Sequence, residues 1–397
     1  MKYLVACNWD FELVNKIDYP EVASLFAGLP NSLIGSGRPS SQIRTMSDAD
    51  VKKYVQLVHG KGWSFDFNVN ASCTANKELT RGGFKDVLKY LAWISDLGAD
   101  AVTISNTNLI QIVKKNFPRL KVNLSTFQKV STVAQARRFE DLGVDMLMLS
   151  EHVNRDFKVL AAIRKAVKCQ LTLIANVGCI FDCPNAHTHA NSVAHSGTKG
   201  DPMLFAESFI LECFSRRLES AEELIKIRWI RPEDVSHYED IGIDMLKILE
   251  RNTTTEVLAE RVKAYSERHY AGNLLRFLGQ MVDPKTSPNR TKQLVLRKIL
   301  TRPGLRSLQG AQKAKQIGSL FANSLSDLVN LDNQRIPKNF LETFKHRDCR
   351  ASDCRTCGHC QTIADQAVTI VDEPRRADTA KRVRQALDGM RDGSMLF

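Results

Sequence analysis

Three stretches of this chain repeat one another: "DLGADAVTIS" at 96–105, "DLGVDMLMLS" at 141–150 and "DIGIDMLKIL" at 240–249. Each reads as a helix end, a glycine cap, a short turn carrying Asp, and then a buried strand. Gly98 and Gly143 are 45 residues apart, and Gly242 follows Gly143 by 99, close to two more such periods. A βα unit of that size, repeated, is the grammar of a parallel sheet.

The intervening segments agree. Strands are predicted at 3–7, 63–70, 100–105, 120–125, 144–149, 170–175, 225–230 and 243–249, with a short one at 22–26. Helical patterns lie between them at 48–60, 83–97, 107–116, 131–142, 154–167, 201–217 and 232–241, and a last one spans 254–270. About eight strands in about 250 residues make an α/β fold, a closed (β/α)8 TIM-like barrel, the economical solution. A doubly wound sheet is the alternative, but no Gly-x-Gly-x-x-Gly follows an early strand. The barrel is expected to fill residues 1–278. Residues 279–397 are expected to form a basic, mostly helical, cysteine-rich C-terminal extension.

Barrel chemistry sits at the C-terminal ends of the strands. Asn70, Ser125, Ser150, Asn176 and Arg231 fall at such ends, and Cys73 lies three residues past the strand at 63–70. Directly after the strand "LTLIA" comes "NVGCIFDCPNAHTHANSVAHSG", with Cys179, Cys183, His187, His189 and His195. Cys179, Cys183 and Cys213 make three of the four thiolates usual for an iron–sulfur cluster; Cys73 is the natural fourth by position, with a C-terminal cysteine or an open position filled by substrate as alternatives. A zinc site of Cys179, Cys183, His187 and His189 is an alternative, but the His-x-His spacing is tighter than the usual three to five. The histidines fit better as acid/base groups or donors around a centre. Radical enzymes that use S-adenosylmethionine carry a third cysteine where this chain has Ala186, which excludes that class.

Cys349, Cys354, Cys357 and Cys360 crowd into 12 residues near the C-terminus. Four thiolates at that spacing resemble ferredoxin-type runs and also zinc knots; the flanking runs contain no strand-rich ribbon, which favours iron–sulfur, with zinc the alternative. Ten cysteines in a chain without a secretory leader pattern are more often ligands than disulfides, so a cytoplasmic location is expected. No run approaches the roughly 20 apolar residues of a membrane span. The net charge of +12 is concentrated between Lys285 and Gln316, which hold nine Lys/Arg and no Asp or Glu. Such a stretch suits an anionic partner, RNA among them, or a solvated helical face.

"FNVNASC", "DLGADAVTIS", "VNLSTF", "LIANVGCIFDCPNAHTHANSVAH", "WIRPEDVSHYEDIGIDMLKILERNTTTEVLAERVKAYSERHYAGN" and "DCRTCGHC" together resemble the peptidase U-32 (collagenase-like) family over roughly residues 1–275. The resemblance implies an iron–sulfur barrel related to oxygen-independent hydroxylases of RNA and the ubiquinone ring, with a 4Fe–4S cluster on Cys179, Cys183, Cys213 and Cys73. A second cluster, or zinc, is expected on Cys349, Cys354, Cys357 and Cys360. Asn70 and Asn176 are expected to bind the cofactor. His187, His189 and His195 would shuttle protons, Arg231 would hold an anionic substrate, and a paralogous or electron-donor protein is a further expected partner.

Two other functions fit the same residues. A peptidase needs an activated nucleophile, and neither His-Glu-x-x-His nor Gly-x-Ser-x-Gly is present. A zinc-stabilised RNA-binding or scaffold protein would explain the basic stretch and the cysteine knot, but not the soft residues expected at the barrel mouth.

Overall fold

A computed structural model describes residues 1–30, 32–199, 208–278 and 324–395, with isolated positions between 312 and 320. Eight parallel strands close into a barrel: β1 (Lys2–Ala6), β2 (Val22–Ala27), β3 (Ser64–Val69), β4 (Ala101–Ile104), β5 (Lys121–Leu124), β6 (Met146–Met148), β7 (Gln170–Ile174) and β8 (Met245–Ile248). Each pairs with the next, and β8 returns to β1 through Lys2↔Met245 and Val5↔Ile248. Helices at Asp48–Gly60, Arg81–Asp96, Thr107–Asn116, Val133–Asp141 and Phe157–Ala166 cover the outside. Ser47, Thr80, Asn106, Thr132 and Asp156 start them, each accepting a backbone N–H with its side chain.

The repeat has a physical meaning. Gly98, Gly143 and Gly242 end their helices with φ of 94°, 84° and 88°, a backbone region that favours glycine. The aspartate two residues on then staples the preceding strand. Asp100 accepts the N–H of Phe65 at 2.7 Å, Asp145 that of Val122 at 2.7 Å, and Asp244 that of Leu171 at 2.8 Å. The same oxygen takes a basic group from the helix before: His59 at 2.8 Å, Lys114 at 2.9 Å and Arg164 at 2.9 Å. The device thus recurs on β3, β5 and β7, at the N-terminal end of the barrel.

One strand expectation needs correcting. Residues 225–230 end the short helix Glu222–Lys226 and continue as an irregular buried run, because β7 pairs directly with β8 through Thr172↔Met245 and leaves no slot between them. The eighth strand is instead 22–27. Ile230 still donates one rung to the carbonyl of Ala175, at 2.8 Å. The run is apolar because the extension covers it, with Trp229 stacked on Phe340 at 5.5 Å.

The described part of the extension shares the barrel's core, with Phe340, Leu341 and Phe344 buried. It is mainly helical, with a two-stranded antiparallel sheet of β9 (Val329–Leu331) and β10 (Val368–Ile370). Its longest helix, Glu373–Arg391, lies along Ser208–Glu219; Arg384 and Arg391 pair with Glu219 and Glu212 at 3.5 and 3.7 Å. The boundary at 278/279, most of the basic stretch 285–316 and residues 201–207 of the 201–217 helix lie outside the described residues. No helix among the described residues is long and apolar enough to cross a membrane.

Candidate functional site

Between β7 and β8 the chain makes a long excursion at the C-terminal end of the barrel: a loop over 175–185, the helix Ala186–Gly197, then Ser208–Glu219. The loop and the two helices roof a cavity of about 130 Å3. Cys179 and Cys183 from the loop, His189 from the first helix and Cys213 from the second all line it. Phe127, Val177, Ile180 and Val193 supply apolar wall.

The charged lining comes from other strand ends. Lys129, after β5, pairs with the buried Glu151, after β6. Arg38, in the loop after β2, pairs with Glu250, after β8, its Nε lying 2.9 Å from Oε1. Burial would raise the Glu250 carboxyl, but Arg38 outweighs it and holds the group down at about 2. Burial works the same way on Glu151, and Lys129 and His152 reverse it. His152 Nδ1 accepts the N–H of Asp182 at 3.4 Å, which ties the cysteine loop to β6. Lys129 and Asp182 both hold left-handed backbone, φ 49° and 47°, a strain that concentrates at functional sites.

Burial pushes the Cys179 thiol up to about 12, with Glu151 adding to it. Burial, with Arg38 and Lys129, brings His189 down to about 4, so this imidazole is neutral at pH 7 and stacks on Phe209 at 5.4 Å. None of the ten cysteines is in a disulfide. Among the described residues no three His, Cys, Asp or Glu side chains close on one point as a finished metal site. Cys179, Cys183 and Cys213 share a cavity with room between them, a donor set that fits a multi-atom thiolate-bound centre better than a bare ion.

The other expected site residues are placed differently. Cys73 is not among the described residues that line the cavity; its loop turns through Ala75 and Asn76, both at positive φ, and its sulfur accepts the N–H of Ala75 at 3.4 Å. His187 is exposed, and His195 lies on the helix outside the lining. Asn176 is a clamp: its amide donates to the carbonyls of Leu249 and Phe277 and its oxygen accepts the N–H of Leu249, all at 2.7 Å. Those bonds hold the ends of β7 and β8 together and use the groups assigned to a cofactor. Asn70 donates to Ser125 at 3.1 Å inside the barrel. Arg231 is buried in a two-pronged pair with Asp234, at 2.7 and 2.8 Å, and donates to the carbonyls of Ile336 and Pro337. It fastens the extension to the barrel rather than facing a substrate.

Below the cavity the barrel interior is polar where branched apolar residues are usual. Asp66 accepts from Thr103 and Asn123 at 2.5 and 2.9 Å. Lys247 of β8 is buried 3.8 Å over the Phe26 ring, and burial brings its amine down to about 7, with Asp66 opposing. Sequence reasoning missed Lys129, Glu151, Arg38, Glu250 and Lys247. Lys129, Glu151 and Glu250 stand shortly beyond strands, where a barrel gathers its chemistry, but position alone does not tell a charge facing a cavity from one facing solvent.

The four C-terminal cysteines meet in a second void of about 20 Å3, lined also by Phe181, Arg228, Phe344 and His359. Phe181 belongs to the loop between Cys179 and Cys183, so one short loop faces both thiol groups.

Residues 27–197 match the profile of Peptidase family U32. An uncharacterized protease of Methanocaldococcus jannaschii is 28% identical over 269 residues, 67% of this chain and 78% of that protein. The tRNA hydroxylation protein P of Haemophilus influenzae is 26% identical over 136 residues, 33% of this chain and 28% of its own length. The solved structure of the U32 peptidase Mk0906 shares 20% identity with a TM-score of 0.47, covering 63% of this chain and 92% of that one.

Proposed function

We propose that this chain, whose residues 27–197 match the profile of peptidase family U32, is an iron–sulfur enzyme that modifies an anionic substrate by oxygen-independent hydroxylation or a related redox step. The observation that carries the reading is one cavity lined by Cys179, Cys183 and Cys213. Three thiolates leave a fourth position of a 4Fe–4S cluster for substrate or another donor. When bound, the cluster would supply redox chemistry and a Lewis-acidic iron.

The chain's own residues supply the rest. Val177, Ile180 and Val193 give the thiols an apolar wall. Lys129 and Arg38, each held by a carboxylate, place fixed positive charge beside a site that gathers negative charge as thiols ionise. Burial, with Arg38 and Lys129 nearby, keeps His189 neutral at pH 7, so it offers a neutral imidazole as a hydrogen-bonding group in the cavity. The distant match to a tRNA hydroxylation protein supports RNA as the substrate class, and the nine Lys/Arg between Lys285 and Gln316 suit a phosphate backbone.

Peptide hydrolysis is favoured less. An activated cysteine needs a thiolate beside a cation or a base, whereas burial leaves Cys179 and His189 as a neutral pair. The test is anaerobic purification with iron and sulfide analysis. Brown protein that loses its iron in Cys179→Ala and Cys183→Ala is the expected result. Colourless protein without iron or sulfide overturns the reading.

A further inference from the structure

The four cysteines of the second void lie in the extension, outside the residues that match the family profile, while Phe181, Lys226 and Arg228 close it from the barrel side. Cys354 and Cys357 sit one turn apart on the helix Cys354–Cys357; Gly358 then reverses the chain at φ 65°, and Cys360 opens the next helix. That turn brings three thiols to one side of a tight bend, and Cys349 approaches from the preceding loop. The space among the four is about 20 Å3. A single water needs roughly 10–15 Å3 on the same measure, so the room is that of one ion rather than a cube of four irons and four sulfides.

Three further observations point to a ligand there. Nε2 of His359, buried and without a hydrogen-bond partner, borders the void. Cations border the thiols: Arg347 donates to the sulfur of Cys357, and Lys226 and Arg228 line the same void. Four thiolates around a divalent ion carry a net charge of about −2, which such a shell would balance. Finally, Phe181 closes one wall of the void, so whatever fills it bears on the loop of Cys179 and Cys183.

We propose that Cys349, Cys354, Cys357 and Cys360 hold a single zinc ion that fastens the extension to the loop carrying Cys179 and Cys183. The thiols line the void without yet closing on one point, and metal binding draws such ligands together as it stabilises the fold around them. The centre is structural: four protein ligands leave no open position. It is independent of the barrel cavity, so it stands or falls separately from the iron reading.

The full-length chain is purified with zinc and iron both quantified. About one zinc per chain is expected, kept in Cys179→Ala and lost in the double variant Cys357→Ser/Cys360→Ser. Should that double variant fail to fold, X-ray absorption at the zinc edge of the wild-type protein decides: a sulfur-dominated shell at about 2.3 Å is expected. Hydrogen exchange over residues 176–185 should quicken when zinc is stripped by chelator. The proposal is overturned by protein without zinc, by a shell of nitrogen and oxygen alone, by full zinc retention in a folded double variant, or by exchange at 176–185 that ignores the chelator.

Discussion

The guanidinium carbon of Arg228 lies 3.9 Å from the centre of the Phe181 ring. Phe181 is also reached by His152, in a T-shaped contact at 5.8 Å. One aromatic ring therefore joins the strand end after β6, the cysteine loop and the segment under the extension. Removing it should loosen all three. Phe181→Ala is expected to cost about 1–2 kcal/mol in denaturant unfolding, with Phe181→Leu recovering less than half because a leucine offers no π face to the arginine.

Arg231→Ala should behave as the loss of a fastening. It strands Asp234 in a buried place, and breaking one side of a buried pair costs about 3–5 kcal/mol. Limited proteolysis should then release the region around Ile336 and Pro337, whose carbonyls Arg231 holds. If Arg231 instead held substrate, the variant would bind substrate poorly while its protease resistance stayed intact.

Lys247 gives a pH prediction with a definite sign. Its folded-state value is about 7, against about 10.4 in an unfolded chain. Between those values the unfolded chain binds the extra proton, so stability should rise as pH increases from about 7 to about 10. Below pH 7 the folded chain carries a buried charge facing Arg251 and Arg38, with Asp66 as its counter-ion. Lys247→Met should flatten that rise and gain on the order of 2 kcal/mol at pH 7, read from urea unfolding at several pH values.

Asp145→Asn tests the repeat. The variant keeps the size of the group but weakens its bonds to the N–H of Val122 and to Lys114. Since Asp145 and Lys114 are each over a third or close to a third exposed, a loss of only about 1 kcal/mol is expected. Metal content should not change.

The barrel was legible because its signals are local and periodic. Gly98, Gly143 and Gly242 mark helix ends, and the apolar runs after them are too short for helices. The stretch at 225–230 misled because burial under the extension and burial in a sheet select the same residues, Ile227, Trp229 and Ile230. Cys179, Cys183 and Cys213 could be grouped from their chemistry, and all three line the cavity, whereas Cys73 does not. Lys129, Glu151, Arg38 and Glu250 were not legible, because a charged residue near a strand end looks the same whether it faces solvent or a cavity. Arg231 failed for the opposite reason: its position at the expected strand end was read as a mouth position, while its partners, Ile336 and Pro337, are more than 100 residues away in sequence.

The three aspartate staples stand at one pole of the cylinder and the cysteine cavity at the other. Selection can therefore act on the two poles separately. The roof over the cavity can be lengthened, shortened or re-chosen for a new substrate while the base keeps every strand in register, so a lineage built on this frame is free to change what it acts upon long before it risks coming apart.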